Sequence, residues 1–214
     1  MLSIGNADIQ GNSSDAAIVK LFADRSYDVI FLQNVPEDIN LIKSLSDGFG
    51  MEHAFAVDQN NGLKLVTFSR SPLASMSSKN ANDYTIQHSA ILGKYVLANM
   101  WFESGDDISV GTALDITEEF AAQSIIGGNF GAATKQTIPD WLNFTCSDSK
   151  NNKIGNAILV TDIFSKLDCS NIQSGQVTRQ SAQLSESVAA ISVIPAIMVG
   201  SALLGVIWLA LRGD

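Results

Sequence analysis

The chain has 214 residues, with 22 acidic against 13 basic side chains and a formal net charge of −9 at neutral pH. That balance argues against nucleic acid as a partner, because phosphate binding needs a basic face and gains from counterion release. It argues equally against docking on anionic lipid through a polybasic patch.

Leu2 to Ile4 is a short apolar strand candidate that ends at Gly5-Asn6. Ser13-Ser14-Asp15 starts a helix, with Ser14 or Asp15 as cap, running to about Arg25 with Ala17, Ile18, Leu21 and Phe22 on one face. Tyr27 to Leu32 is a continuous β-rich run, the sign of a strand buried on both faces. Pro36 breaks the chain before a second amphipathic helix (Ile39, Leu41, Ile42, Leu45) that ends near Gly48. This alternation favours a layered α/β domain. Glu52 to Val57 and Leu63 to Phe68 then flank Asn60-Asn61-Gly62, a tight-turn signal. Ser75 to Thr85 is polar and reads as a loop. Tyr95 to Phe102 and Ile108 to Thr112 read as a second hairpin around Ser104-Gly105-Asp106. Thr117 to Gln123 suits a short helix, and Ser124 to Ile126 leads into Gly127-Gly128-Asn129-Phe130-Gly131. Asp140-Trp141 falls in a loop or short helix. Ala157 to Val160 is another apolar strand, Ile172 to Val177 a weaker one, and Ser174 to Ser187 a polar link.

The chain then changes character. Val188 to Leu211 contains no charged residue, and a helix of about 20 apolar residues spans a bilayer core. The expected organisation is therefore a soluble domain over residues 1–180, a linker over 181–187, a transmembrane helix over 188–211 and a tail over 212–214. Within the span, Ala196 and Gly200, and Ser201 and Gly205, have the small-residue spacing that lets a neighbouring helix approach closely. Pro195 marks a kink or the point of entry, and Trp208 suits an interfacial belt. No leader-like stretch precedes the first strand, so the chain reads as tail-anchored or already trimmed. Cys146 and Cys169 are compatible with one disulfide or with two buried thiols.

Several pieces of the domain, in this order, resemble the endonuclease/exonuclease/phosphatase superfamily. Leu2-Ser3-Ile4-Gly5-Asn6 looks like its first strand, ending in asparagine. Asp28 to Val35 is similar to the strand ending leucine-glutamine-glutamate, and Gly62 to Leu73 to the strand followed by serine-arginine-x-proline. Ile108 to Asp115 takes the place of the strand ending threonine-histidine-leucine. Ile125 to Ala132 follows the glycine-aspartate-phenylalanine-asparagine pattern, and Asn156 to Asp162 the penultimate strand. The resemblance implies a reduced, two-sheet phosphoesterase-like α/β sandwich, followed here by the single C-terminal transmembrane helix.

The resemblance also implies an active site at these positions, with a glutamate on a divalent metal, an aspartate and asparagine orienting water and phosphate, and a histidine handling protons. Asn6 keeps the family residue. Asn34 stands for the glutamate, Asn129 for the aspartate, Gly131 for the asparagine and Ala113 for the histidine. The last aspartate–histidine pair is matched at best by Ser185-Glu186-Ser187. His53 and His88 fall away from the motifs, in a strand and a loop. The acid pairs Glu37-Asp38, Asp106-Asp107 and Glu118-Glu119 read as solvated turns and helix starts.

The expectation is a phosphoesterase-like fold with no catalytic residues, no metal and no cofactor. Such a chain would serve as an accessory subunit of a multiprotein membrane complex in an organelle membrane, thylakoid or mitochondrial inner membrane. Its partners would be the lipid bilayer and other membrane subunits, reached through the helix and the acidic domain, and not nucleic acid. The alternative is a membrane-tethered metal-dependent phosphodiesterase with shifted ligands such as Glu186 or Asp162. A pseudoenzyme that still holds a phosphorylated ligand is compatible with the first reading.

Overall fold

The computed structural model describes residues 2–92, 95–118, 123–147, 153–161, 166–173 and 176–183. β1 (Leu2–Asp8), α1 (Asp15–Leu21) and β2 (Val29–Val35) form a parallel βαβ unit, followed by α2 (Ile39–Phe49) and the hairpin β3 (His53–Asp58) and β4 (Lys64–Ser69). β5 (Ala74–Asn80), β6 (Tyr84–Ile91) and β7 (Tyr95–Phe102) come next. α3 (Asp107–Thr117) then crosses to β8 (Ser124–Asn129), which runs parallel to β7. β9 (Leu142–Ser147), β10 (Asn156–Thr161), β11 (Lys166–Gln173) and β12 (Gln176–Gln183) complete the order. The strands build two six-stranded sheets, β12-β11-β1-β2-β4-β3 and β5-β6-β7-β8-β10-β9. This is the expected two-sheet α/β sandwich.

Local chemistry sets the helices. The Ser14 hydroxyl accepts from Ala17 N at 3.3 Å to start α1. Asp38 accepts from Asn40 N at 2.8 Å to start α2, and Gly50, at φ +61°, ends it in a left-handed turn. Asp106 accepts from the backbone of Ile108 and Ser109 at 3.0 and 2.9 Å, and this cap starts α3. The hairpin expected over Ile108 to Thr112 is therefore a helix; Asp106 followed by helical spacing outweighs the β-branched residues. Ala113 is accordingly not at a strand end but buried on α3 against the second sheet.

Other expectations shift as well. β1 continues through Gly5 and Asn6 to Asp8, and the polar run from Ser75 becomes edge strand β5, exposed along its length. His88 lies not in a loop but on β6, buried beneath α3. The weak strand near Ile172 is a full hairpin, β11 with β12, so strand structure continues past residue 180 into what was expected to be linker. Residues 119–122, Glu186 and the apolar run Val188 to Leu211, with Ala196, Gly200, Ser201 and Gly205, lie outside the described residues. Among those described, no helix is long and apolar enough to cross a membrane.

Side chains alternate between the faces of each strand. On the outer face of the first sheet, Ile30, Leu32, Val66 and Phe68 pack under α1 and α2 with Ile18, Phe22 and Leu45. On the outer face of the second, Ile86, Met100, Ile126 and Leu159 pack under α3 with Val110 and Leu114. Between the sheets lie Ile4, Val29, Phe31, Ile91, Leu97, Ile125, Ile158 and Val160. Gly127 is needed in this layer, because a Cβ there would come within 2.3 Å of the Phe31 ring. The inner face changes character along the strands. Ile4 gives way to Asn6 and Asp8, Phe31 to Gln33, Leu97 to Asn99, and Ile125 to Asn129. One end of the inner layer is thus apolar and the other polar.

Burial pushes the His88 imidazole down to about 4, so it is neutral in the fold, with Nε2 3.3 Å from the Thr117 hydroxyl oxygen. The unfolded chain takes up that proton near its ordinary value of about 6.5. Stability is full above that value and declines as pH falls toward 4, by roughly 2–3 kcal/mol. Hydrogen bonds hold Asp15, Asp106 and Asp107 below the usual carboxylate value, and their contributions are lost only at lower pH. Urea midpoints measured between pH 7 and 4 should fall in the parent chain and flatten in His88→Gln.

Candidate functional site

β1, β2, β7 and β8 all finish at the polar end of the sandwich, where the sequence motifs converge. Gln33 is fully buried and donates through Nε2 to Asn6 Oδ1 at 2.9 Å and Asn99 Oδ1 at 2.8 Å. Its orientation is dictated by its neighbours. Asn6 Nδ2 faces the carbonyls of Gly128 and Ala157 at 3.2 and 3.4 Å, and Asn99 Nδ2 those of Leu32 and Val66 at 3.2 and 3.1 Å. Both amide oxygens therefore require a donor, and the Gln33 NH₂ supplies it to both. The Gln33 carbonyl oxygen has no partner among the described residues. Thr67 and Gln87 extend the network, with Gln87 Nε2 donating to Phe55 O at 2.7 Å.

Above this layer sits Asp8. Its Oδ1 accepts from Asn34 Nδ2 at 2.8 Å and from Gln10 N at 2.9 Å, and its Oδ2 accepts from Asn129 Nδ2 at 2.6 Å. A carboxylate can only accept, so both asparagines must present their NH₂ groups to it. Their oxygens are engaged too: Asn34 Oδ1 accepts from Asn61 Nδ2 at 2.9 Å, and Asn129 Oδ1 from Gly131 N at 3.0 Å. Asn34 holds a left-handed backbone at φ +56° where β2 slips register against β4. Asparagine tolerates that conformation better than most residues.

The structure brings Asn6, Asn34 and Asn129 together and leaves Gly131 at their edge. Gly131 sits at φ +55°, and a Cβ would meet Gly105 Cα at 3.0 Å, so a side chain is disfavoured by both conformation and close packing. Ala113 is away on α3; the strand parallel to β8 ends instead in Asn99 to Phe102, with Trp101 in register with Asn129. Glu186 lies outside the described residues. β11 runs parallel to β1 and β12 antiparallel to β11, so β12 finishes at the end opposite the polar one. Sequence reasoning passed over Asp8, Gln33 as a bridge, and Asn99. The alternation Ile4, Asn6, Asp8 was the available signal, hidden by ending the first strand early.

A divalent cation such as Mg²⁺ takes several hard oxygens, at least some anionic. Here one carboxylate faces two amides, and its oxygens and theirs are already engaged in hydrogen bonds. The donor set does not fit such an ion. Among the described residues no group of three or more histidine, cysteine or acidic side chains is arranged to hold a metal. The acid pairs have other tasks. Asp38 and Asp106 are caps, and Asp107 accepts from Thr134 N at 2.6 Å and from the Thr137 hydroxyl.

No protein-family model matches the chain, and no curated protein matches it in sequence. Solved structures match in fold. A 3'-5' exonuclease of Neisseria meningitidis is 12% identical with a TM-score of 0.58, over 83% of this chain and 96% of that one. An endonuclease/exonuclease/phosphatase family protein of Bacteroides thetaiotaomicron is 11% identical with a TM-score of 0.55, over 82% and 89%. Truncated TDP2 of Caenorhabditis elegans is 14% identical with a TM-score of 0.53, over 73% and 82%. At these identities the likeness establishes the endonuclease/exonuclease/phosphatase-like fold.

Asn129→Asp places a second carboxylate against Asp8. Like charges at that separation disfavour double ionisation, so the variant should be less stable than the parent by about 1–3 kcal/mol at pH 7. The difference should shrink as the pH falls below about 5 and one of the pair is protonated. Chemical denaturation at the two pH values reads this directly.

Proposed function

We propose that this chain is a non-catalytic accessory subunit of a multiprotein membrane complex, anchored by one C-terminal helix over Val188 to Leu211. The observation that carries the reading is the Asp8 clamp. Where the fold's enzymes are expected to offer anionic oxygens to a metal, this chain offers two amide NH₂ groups to its own carboxylate. No histidine stands beside the clamp to exchange a proton, and amides do not titrate in the working range. The clamp instead fastens β1 and β2 of one sheet to β8 of the other.

The outer rim of that end suits protein contact. Ile39 is 75% exposed beside Glu37 and Asp38, and Ile108 is 82% exposed beside Asp106 and Asp107. An apolar side chain with acidic neighbours fits a protein partner presenting an apolar pocket within a basic rim. An acidic rim opposes phosphate-rich ligands. Small-residue spacing at Ala196, Gly200, Ser201 and Gly205 supports helix packing with other membrane subunits. An organelle membrane bearing a photosynthetic or respiratory complex is the proposed home, by analogy.

Mild-detergent solubilisation of the native membrane, followed by sizing and mass spectrometry, tests the proposal. The chain should run in a large particle of fixed composition. A variant truncated before Val188 should be lost from the particle while keeping its unfolding transition. A particle near the chain's own mass, together with Mg²⁺-dependent phosphodiester hydrolysis, would overturn the proposal and favour the tethered enzyme.

A further inference from the structure

We infer that the end of the sandwich opposite the Asp8 clamp is a bilayer-facing surface, which lies in the lipid interface and turns the clamp toward the aqueous phase. The inference rests on the membrane anchoring proposed above and adds an orientation and a contact surface to it.

Topology supplies the orientation. β1 runs toward the clamp, β11 runs parallel to it, and β12 runs back. Gln183 pairs with Lys166 while Leu2 pairs with Leu167, so β12 finishes beside the start of β1. Only residues 184–187 separate that point from Val188. Fully extended, such a link covers roughly 15–18 Å. The headgroup layer on each side of the hydrocarbon is about 5–8 Å thick. The anchor proposed to begin at Val188 would hold this end of the domain within that reach of the membrane surface.

The side chains at this end match that environment. Leu92 follows β6, 61% exposed and held at φ +55°, a backbone conformation that leucine rarely adopts. Tyr95, at the start of β7, and Trp141, just before β9, are partly exposed at the same end. Such aromatic residues favour the membrane–water boundary. Met76, 54% exposed, lies on β5 near its start, which pairs with the end of β6. The clamp end carries Asp8, Glu37, Asp58 and Asp83 in addition to the acidic start of α3, while the opposite end has three exposed acidic residues, Asp24, Glu52 and Asp140, that must stay in the aqueous part of the interface.

The test uses the full chain reconstituted in phosphatidylcholine–phosphatidylglycerol vesicles, with lipids brominated at the upper acyl chain as tryptophan quenchers. Emission added by Leu92→Trp over the parent should be blue-shifted and quenched, whereas that added by Ile108→Trp should be neither. Met76→Trp repeats the measurement at the same end should Leu92→Trp not fold. If the chain floats with the vesicles and neither Leu92→Trp nor Met76→Trp is quenched, the surface is wrong while the anchoring stands. Quenching of Ile108→Trp in their place reverses the orientation and also overturns the inference. If the parent does not float with the vesicles, the anchoring fails and this inference falls with it.

Discussion

The fold depends on how the space between its two sheets is filled where apolar residues run out. Phe31, Ile4, Leu97 and Ile125 close one half of that space without directional demands. In the other half, polar side chains leave water and each must find a partner, because an unpaired buried amide costs on the order of 1–3 kcal/mol. Gln33 meets much of that demand by bridging Asn6 on its own sheet to Asn99 on the other. The consequence is specificity of alignment. Apolar layers tolerate a slip between sheets, but a set of amides aimed at named carbonyls does not.

Asp8 extends the same logic to the rim. In an enzyme of this architecture, converging anionic groups would repel one another until a cation joined them, and the stability of the site would depend on the ion. Here one carboxylate and two amides attract one another directly and tie β1, β2 and β8 together at the rim. Gly131 fits the same picture. Its close passage against Gly105 packs the β8 loop over the α3 entry, where a side chain at residue 131 would be crowded. The neighbours of known structure establish the architecture.

Much of the architecture was legible in the sequence. The Val29–Leu32 run, the Asn60-Asn61-Gly62 turn and the apolar 157–160 stretch each announce themselves by local pattern. The family resemblance implied that Asn34 and Asn129 share one site, and both donate to Asp8. The failures have physical causes. Ile108 and Val110 favour strand by propensity, but a capping aspartate and a helix face packed on the second sheet decide otherwise. β5 has no apolar alternation because both its faces are exposed, so its only signature is backbone pairing. β11 and β12 were blurred because their pairing, not their composition, defines them. Asp8 was missed because its role depends on partners far away in sequence, Asn34 and Asn129, which no local window contains.

The pairing of Leu2 with Leu167 ties the first strand to one of the last. During synthesis β1 can pair with β2 early, but its other edge stays open until β11 and β12 have left the ribosome. Only residues 184–187 then remain before the apolar run. Completion of the first sheet is therefore a late event in synthesis, and a chaperone shielding the open β1 edge would have to act until then.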